Sequence, residues 1–227
     1  MTCSKGRGRK PVTILFDLDG TLIDSTEAIL ESFYTAFGEF GGENPERDRI
    51  ERLIGHPLDR MFASLGVESE YIDAHVEAYK RHYRKVSREK TTLLPGAAEA
   101  VRRAYDFALL GVVTTKTGRY SVELLEHMGL MSSFDVLIGR EDVVNPKPHP
   151  EPILKALDAL GRSTENCWMV GDTLMDVDAA RAAGVKPFAL TCGYADASDL
   201  ESACEHLAPD ALSAVSAIYR VAEKSGV

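Results

Sequence analysis

The fold is decided by PVTILFDLDGTL, residues 11–22. From Pro11 to Phe16 the run is almost continuously apolar and rich in β-branched residues. That is the composition of a strand buried on both faces, as in a parallel sheet. The run then stops at two carboxylates, Asp17 and Asp19, followed by Gly20 and Thr21. Aspartate suits strands poorly, and like charges at close range repel, so the pair needs a compensating partner. The carboxyl ends of strands in an open α/β sheet are where ligands gather.

Runs of the same kind recur as FALLGVVTT (107–115), FDVLIG (134–139), NCWMVGD (166–172) and KPFALTCG (186–193). Between them lie the helical patterns GAAEAVRRAY, YSVELLEHMGL, PEPILKALDALG and DVDAARAAGV, three of them closed by Gly129, Gly161 and Gly184. Strands alternating with helices predict a doubly wound, Rossmann-like α/β core with a mainly parallel sheet. The alternation fails between Ser25 and about Thr92, where no good strand occurs. Ser25 is placed to cap a helix carrying Ile29, Leu30, Phe33, Tyr34 and Phe37, and three further helical stretches follow. Residues 25–92 therefore read as an inserted α-helical cap domain, with residues 1–24 and 93–227 forming the core and LLPG (93–96) marking the return. Tyr71, His75, Tyr79 and Tyr83, spaced by four, read as the cap's interior.

Lys and Arg number 26 and Asp and Glu 35, a net charge of −9. That balance argues against nucleic acid or an anionic membrane as partner, and no run of ~18 apolar residues predicts a membrane span. Cys3, Cys167, Cys192 and Cys204 contain no close pair, so free thiols and a cytoplasmic location are expected. Lys5, Arg7, Arg9 and Lys10 read as a solvated tail. A monomer or a homodimer is expected.

Four strand ends carry chemistry: Asp17 and Asp19; Thr114-Thr115-Lys116; Lys147, after FDVLIG; and Gly171-Asp172 with Asp176 four residues on. Asp17 and Asp19 can face one side of the sheet edge, and Asp172 and Asp176 share a side if the segment is helical. Up to four carboxylates at one edge are tolerable mainly around a divalent cation, and an all-oxygen ligand set suits Mg2+. A lysine and a threonine beside them would complete a site for a phosphoryl group.

The ordered set Asp17-Leu18-Asp19-Gly20-Thr21, Thr114, Lys147-Pro148 and Gly171-Asp172-Thr173-Leu174-Met175-Asp176 resembles the four motifs of the haloacid dehalogenase-like hydrolase superfamily. The resemblance implies that Asp17 is the nucleophile and Asp19 the general acid and base. It implies that Asp17, Asp172 and the main-chain carbonyl of Asp19 hold Mg2+, with Asp176 an outer partner of the metal. Leu18, Thr114, Thr115 and Lys147 would bind the phosphoryl oxygens. Asp19 favours phosphoryl transfer over dehalogenation, since only the former has a poor alkoxide leaving group to protonate. Ile29 stands where β-phosphoglucomutases commonly have a histidine, which favours a phosphatase. The stretch IGHPLDRMFASLG resembles the cap of phosphoglycolate phosphatases and related pyrophosphatase-type enzymes, so a small phosphorylated metabolite is the expected substrate, 2-phosphoglycolate first among them. His56 and Arg60 are the cap's candidate substrate contacts. A β-phosphoglucomutase-like phosphotransferase, a pyrophosphatase and a non-catalytic metabolite-binding protein are the alternatives.

Overall fold

The computed structural model describes residues 10–224. Cys3, Lys5, Arg7 and Arg9 lie outside them. In chain order the elements are β1 (Val12–Phe16), β2 (Ile23–Asp24), α1 (Thr26–Glu39), α2 (Arg47–Glu51), α3 (Leu58–Ser64), α4 (Ile72–Val86), β3 (Thr92–Leu93), α5 (Ala97–Phe107), β4 (Ala108–Val113) and α6 (Gly118–His127). There follow β5 (Val136–Ile138), α7 (Glu151–Leu160), β6 (Cys167–Gly171), α8 (Leu174–Ala183), β7 (Lys186–Leu190), α9 (Ala197–Ala203), β8 (Leu207–Ala208) and α10 (Ala211–Lys224).

Six strands form one sheet in the order β5-β4-β1-β6-β7-β8, every pair parallel. β1 therefore sits at the switch point, with the chain winding outward through β4 and β5 on one side and through β6 to β8 on the other. All five β1 residues are buried because both faces are covered. Ile14 and Phe16 point into a core shared with α5, α6 and α10. Leu15 points into a second core shared with α7 and α8. All five strand runs read from the sequence are present. β8, only two residues long, carries too little pattern to be seen in advance.

Between β2 and β3, helices α1 to α4 pack around a core of their own that includes Phe33, Phe62, Tyr79 and Tyr83. The Phe33 ring centroid lies 4.7 Å from that of Phe62 and 5.0 Å from that of Tyr79. Chain entry and exit are zipped by an antiparallel ribbon pairing Ile23 with Leu93 and Asp24 with Thr92. Tyr71 departs from the expected stripe: it is 51% exposed, while His75, Tyr79 and Tyr83 are buried. Tyr71 precedes α4 at the end of a short 3-10 turn, so the helical spacing does not extend to it.

Two local expectations change. Ser25 occupies the N-cap position of α1, but its hydroxyl donates to Asp19 and accepts no N–H from the helix, and Asp24 accepts the Thr26 N–H. Lys10 is no solvated tail residue: its ammonium donates to the carbonyl oxygens of Tyr105 and Ala108. Among the described residues no helix is long and apolar enough to cross a membrane.

Candidate active site

The parallel register sets the site. Phe16 pairs with Val170 on β6 and with Val112 on β4, and the Asp17 N–H donates to the Val170 carbonyl at 2.8 Å. Asp17 thus emerges beside Gly171-Asp172, 155 residues away in sequence, and near Thr114, which follows β4.

Asp17, Asp172 and Asp176 come together as a buried cluster in which one carboxylate oxygen from each lies within 4.8 Å of the others. Lys147 enters it from the loop before α7. Its ammonium lies 2.9 Å from Asp17 Oδ1 and donates to Asp176 Oδ1 at 2.6 Å. Asp176 Oδ2 accepts both the N–H and the hydroxyl of Thr173, at 3.0 and 2.7 Å, so the residue caps α8 and joins the cluster at once. Asp172 accepts the Thr21 hydroxyl at 2.8 Å and the Tyr194 N–H at 2.9 Å.

Three carboxylates facing one ammonium leave the cluster short of positive charge. Burial pushes the Asp17 carboxyl up to about 7, with Lys147 opposing and Asp176 adding to the rise. Asp172 is raised well above the ordinary carboxylate range by burial and then by Asp17 and Asp176. For Lys147, burial works against the charged form, but Asp17 and Asp176 outweigh it and hold the ammonium above its usual range. An all-oxygen, electron-rich set of this kind suits a hard divalent cation.

Asp19 does not share this environment. The chain bends after β1, the Leu18 carbonyl accepting the N–H groups of Thr21, Leu22 and Ile23. Its carboxylate turns instead toward Ser25 and Lys116, whose ammonium lies 3.1 and 2.9 Å from the two oxygens. The two aspartates expected on one side of the edge therefore sit in separate surroundings.

Leu18 buries its side chain in the core, while its N–H donates to the Asp17 carboxylate. Thr114 is buried at the end of β4, its hydroxyl accepting the Lys116 N–H at 3.2 Å. Thr115, expected among the phosphate-binding residues, donates its hydroxyl to the Gly55 carbonyl of the helical insertion at 2.6 Å and lines the same cavity as Asp19. His56 lines a cavity between the insertion and the Asp19 edge, whereas Arg60 is exposed and lies off its walls.

The sequence offers for Lys116 only its place at the same strand end as Thr114, with no partner marked for it. Tyr194 and Gly193 are no more visible there: they donate to and closely pack against Asp172 from the loop after β7. No local pattern marks them.

Residues 14–190 match the haloacid dehalogenase-like hydrolase family. The chain is 34% identical over 213 residues to "Probable phosphatase IndB" of Dickeya dadantii, covering 91% of this chain and 92% of that one. It is 37% identical over 185 residues to pyrophosphatase PpaX of Halalkalibacterium halodurans, covering 81% and 84%. Among solved structures, a haloacid dehalogenase-like family hydrolase from Streptococcus pneumoniae superposes with a TM-score of 0.82 at 26% identity, covering 92% of this chain and 98% of that one. With its acidic cluster at the switch point of the sheet, the chain belongs to the haloacid dehalogenase-like hydrolases and is a phosphatase of that family.

Proposed function

We propose that the protein is a Mg2+-dependent phosphatase that hydrolyses a small phosphorylated metabolite through an aspartyl-phosphate on Asp17. The observation that carries this reading is the pairing of Asp17 with Lys147 inside a buried cluster of three carboxylates. Asp17, Asp172 and the main-chain carbonyl of Asp19 would hold Mg2+, with Asp176 supporting them. Mg2+, when bound, supplies positive charge for the phosphoryl oxygens and favours the ionised form of Asp17.

The Asp17 carboxylate attacks phosphorus, and the bond to the leaving oxygen breaks as Asp19 gives that oxygen its proton. Asp19 then takes a proton from water as the water attacks phosphorus, and the Asp17–phosphorus bond breaks to release phosphate. Lys147, Thr114 and the Leu18 N–H stabilise the spread charge of the transferring group. Separate surroundings for the two aspartates support this division of labour: Asp17 lies in the acidic cluster beside Lys147, while Asp19 lines the cavity where a leaving group would sit. Residues 25–92 serve as a cap that closes the site from water, hinged at the ribbon of β2 and β3.

The test is phosphate release from a panel containing 2-phosphoglycolate, pyrophosphate, sugar phosphates and nucleotides. Release that requires Mg2+ and disappears in Asp17→Asn is the expected result. Equal release from Asp17→Asn or in excess chelator would overturn the reading. Pyrophosphate belongs in the panel because the relative from Halalkalibacterium halodurans is named a pyrophosphatase.

A further inference from the structure

Resting on the phosphatase reading, we infer that the alcohol released is uncharged and bears a ring, seated against Tyr120 at the edge of the Tyr79–Tyr83 stack. A cavity of about 360 Å³ opens from Asp19 and Lys116 into the space beneath α4. That lies in the range of ~300–1,000 Å³ typical of sites for organic ligands. Its wall on the insertion side is mostly apolar and includes Ile29, Ile54, Met61 and Val76. Three tyrosines continue that wall. Tyr79 and Tyr83 stack at 5.6 Å with planes 12° apart, and the Tyr120 ring lies 6.2 Å from that of Tyr83. Tyr79 and Tyr83 are buried and Lys116 covers Tyr83, so Tyr120, only partly buried, is the ring left to contact a ligand, and it favours a planar or ring-shaped group.

The charges around the cavity argue against a second anion on the substrate. Lys116 is committed to both oxygens of Asp19 and sits 4.6 Å over the Tyr83 ring. Lys80 pairs with Glu77 at 3.1 Å, and Arg140 donates to the Val143 carbonyl at 3.1 Å. His56 resists protonation, first because of its burial and then because of Arg60. Asp59, Asp73 and Glu141 also line the cavity. With Asp19, four carboxylates line the cavity against the three cations Lys80, Lys116 and Arg140, so a carboxylate or second phosphate placed here would lose its hydration in surroundings of net negative charge.

The test uses the full chain carrying Asp17→Asn, in Mg2+, so that binding is measured without turnover. Benzyl phosphate, 2-phosphoglycolate and pyrophosphate are titrated by calorimetry. Benzyl phosphate should bind tightest, by roughly tenfold or more, from ring burial and aromatic contact. Tyr120→Ala should cut that affinity about tenfold and leave 2-phosphoglycolate within about twofold, because only the former reaches the ring. Val76→Lys, which adds a cation to the wall, should shift preference toward 2-phosphoglycolate. The inference is overturned if either anionic compound matches benzyl phosphate, if Tyr120→Ala weakens all three alike, or if benzyl phosphate does not bind. Phosphate release by the unmodified protein is measured separately, so failure of the reaction reading and failure of this inference give different patterns.

Discussion

Replacing Gly193 by alanine places a methyl group where Asp172 already is. A Cβ at Gly193 would lie 2.1 Å from Asp172 Oδ2 and 2.3 Å from its Cβ and Cγ. Ordinary contact begins at 3.4 Å, so about 1.3 Å of movement must be found. The loop cannot easily supply it. Thr191 is tied to the Ala208 carbonyl at 3.0 Å, and the Tyr194 N–H is itself bonded to Asp172. Asp172 is the other candidate to move, and any shift stretches its bonds to Thr21 and Tyr194. Overpacking of this kind costs about 1–3 kcal/mol. A displacement near 1 Å in a reacting constellation lowers turnover by ~10²-fold. The Mg2+ concentration for half-maximal activity should rise by roughly 10–100-fold, the usual consequence of disturbing a ligand's support. Steady-state phosphate release against Mg2+ and chemical denaturation measure the two effects. Gly184→Ala is the control. Its Cβ meets nothing within 4 Å, but its φ of +73° puts the residue in the left-handed region, so stability should fall by about 1–2 kcal/mol while activity stays. Wild-type turnover and Mg2+ response in Gly193→Ala would refute the assignment of Asp172 to the metal.

Three further outcomes follow from the same geometry. Lys147→Met leaves Asp17 and Asp176 buried without their ammonium, so stability at neutral pH should drop by roughly 3–5 kcal/mol without Mg2+, and turnover by ~10²–10³-fold; denaturation and kinetics at saturating Mg2+ separate the two. The pH dependence has a definite sign, because burial raises Asp17 from 3.8 to about 7. Its contribution is fully present below the unfolded value and lost as pH rises through the folded one. Without Mg2+, wild type should therefore lose stability relative to Asp17→Asn between about pH 4 and 7, at up to ~1.4 kcal/mol per pH unit. Melting curves of both proteins in chelator check this, and a gap that widens in favour of wild type over that window contradicts it. Thr115→Val removes the 2.6 Å bond to Gly55 that ties the core to the helical insertion. It should cost about 1 kcal/mol of stability and raise KM more than it lowers kcat, read from denaturation and steady-state kinetics.

Local chemistry made much of this protein legible. The five strand runs could be read because a strand covered on both faces must be apolar throughout, and β1 is buried at every position. Asp176 could be read because a spacing of four from Asp172 puts both on one side of a helical turn, and the turn that opens α8 does bring its carboxylate to the strand end. Lys116 could not be assigned, since nothing within a few residues shows that its ammonium meets Asp19, 97 positions earlier. The cavity was equally hidden, being built from α1, α3, α4 and the loop after β4, segments far apart in sequence.

The sequence by itself therefore determined the doubly wound core, the helical insertion and which residues carry charge at strand ends. Period-2 and period-3.6 patterns are set by neighbours a few positions apart. Only the tertiary structure decided how those charges are shared. The pairing of Phe16 with Val170 puts Asp17 beside Asp172, and the bend at Leu18 turns Asp19 away toward Lys116. Register and bend depend on how both faces of the whole sheet pack at once, so no local pattern carries them.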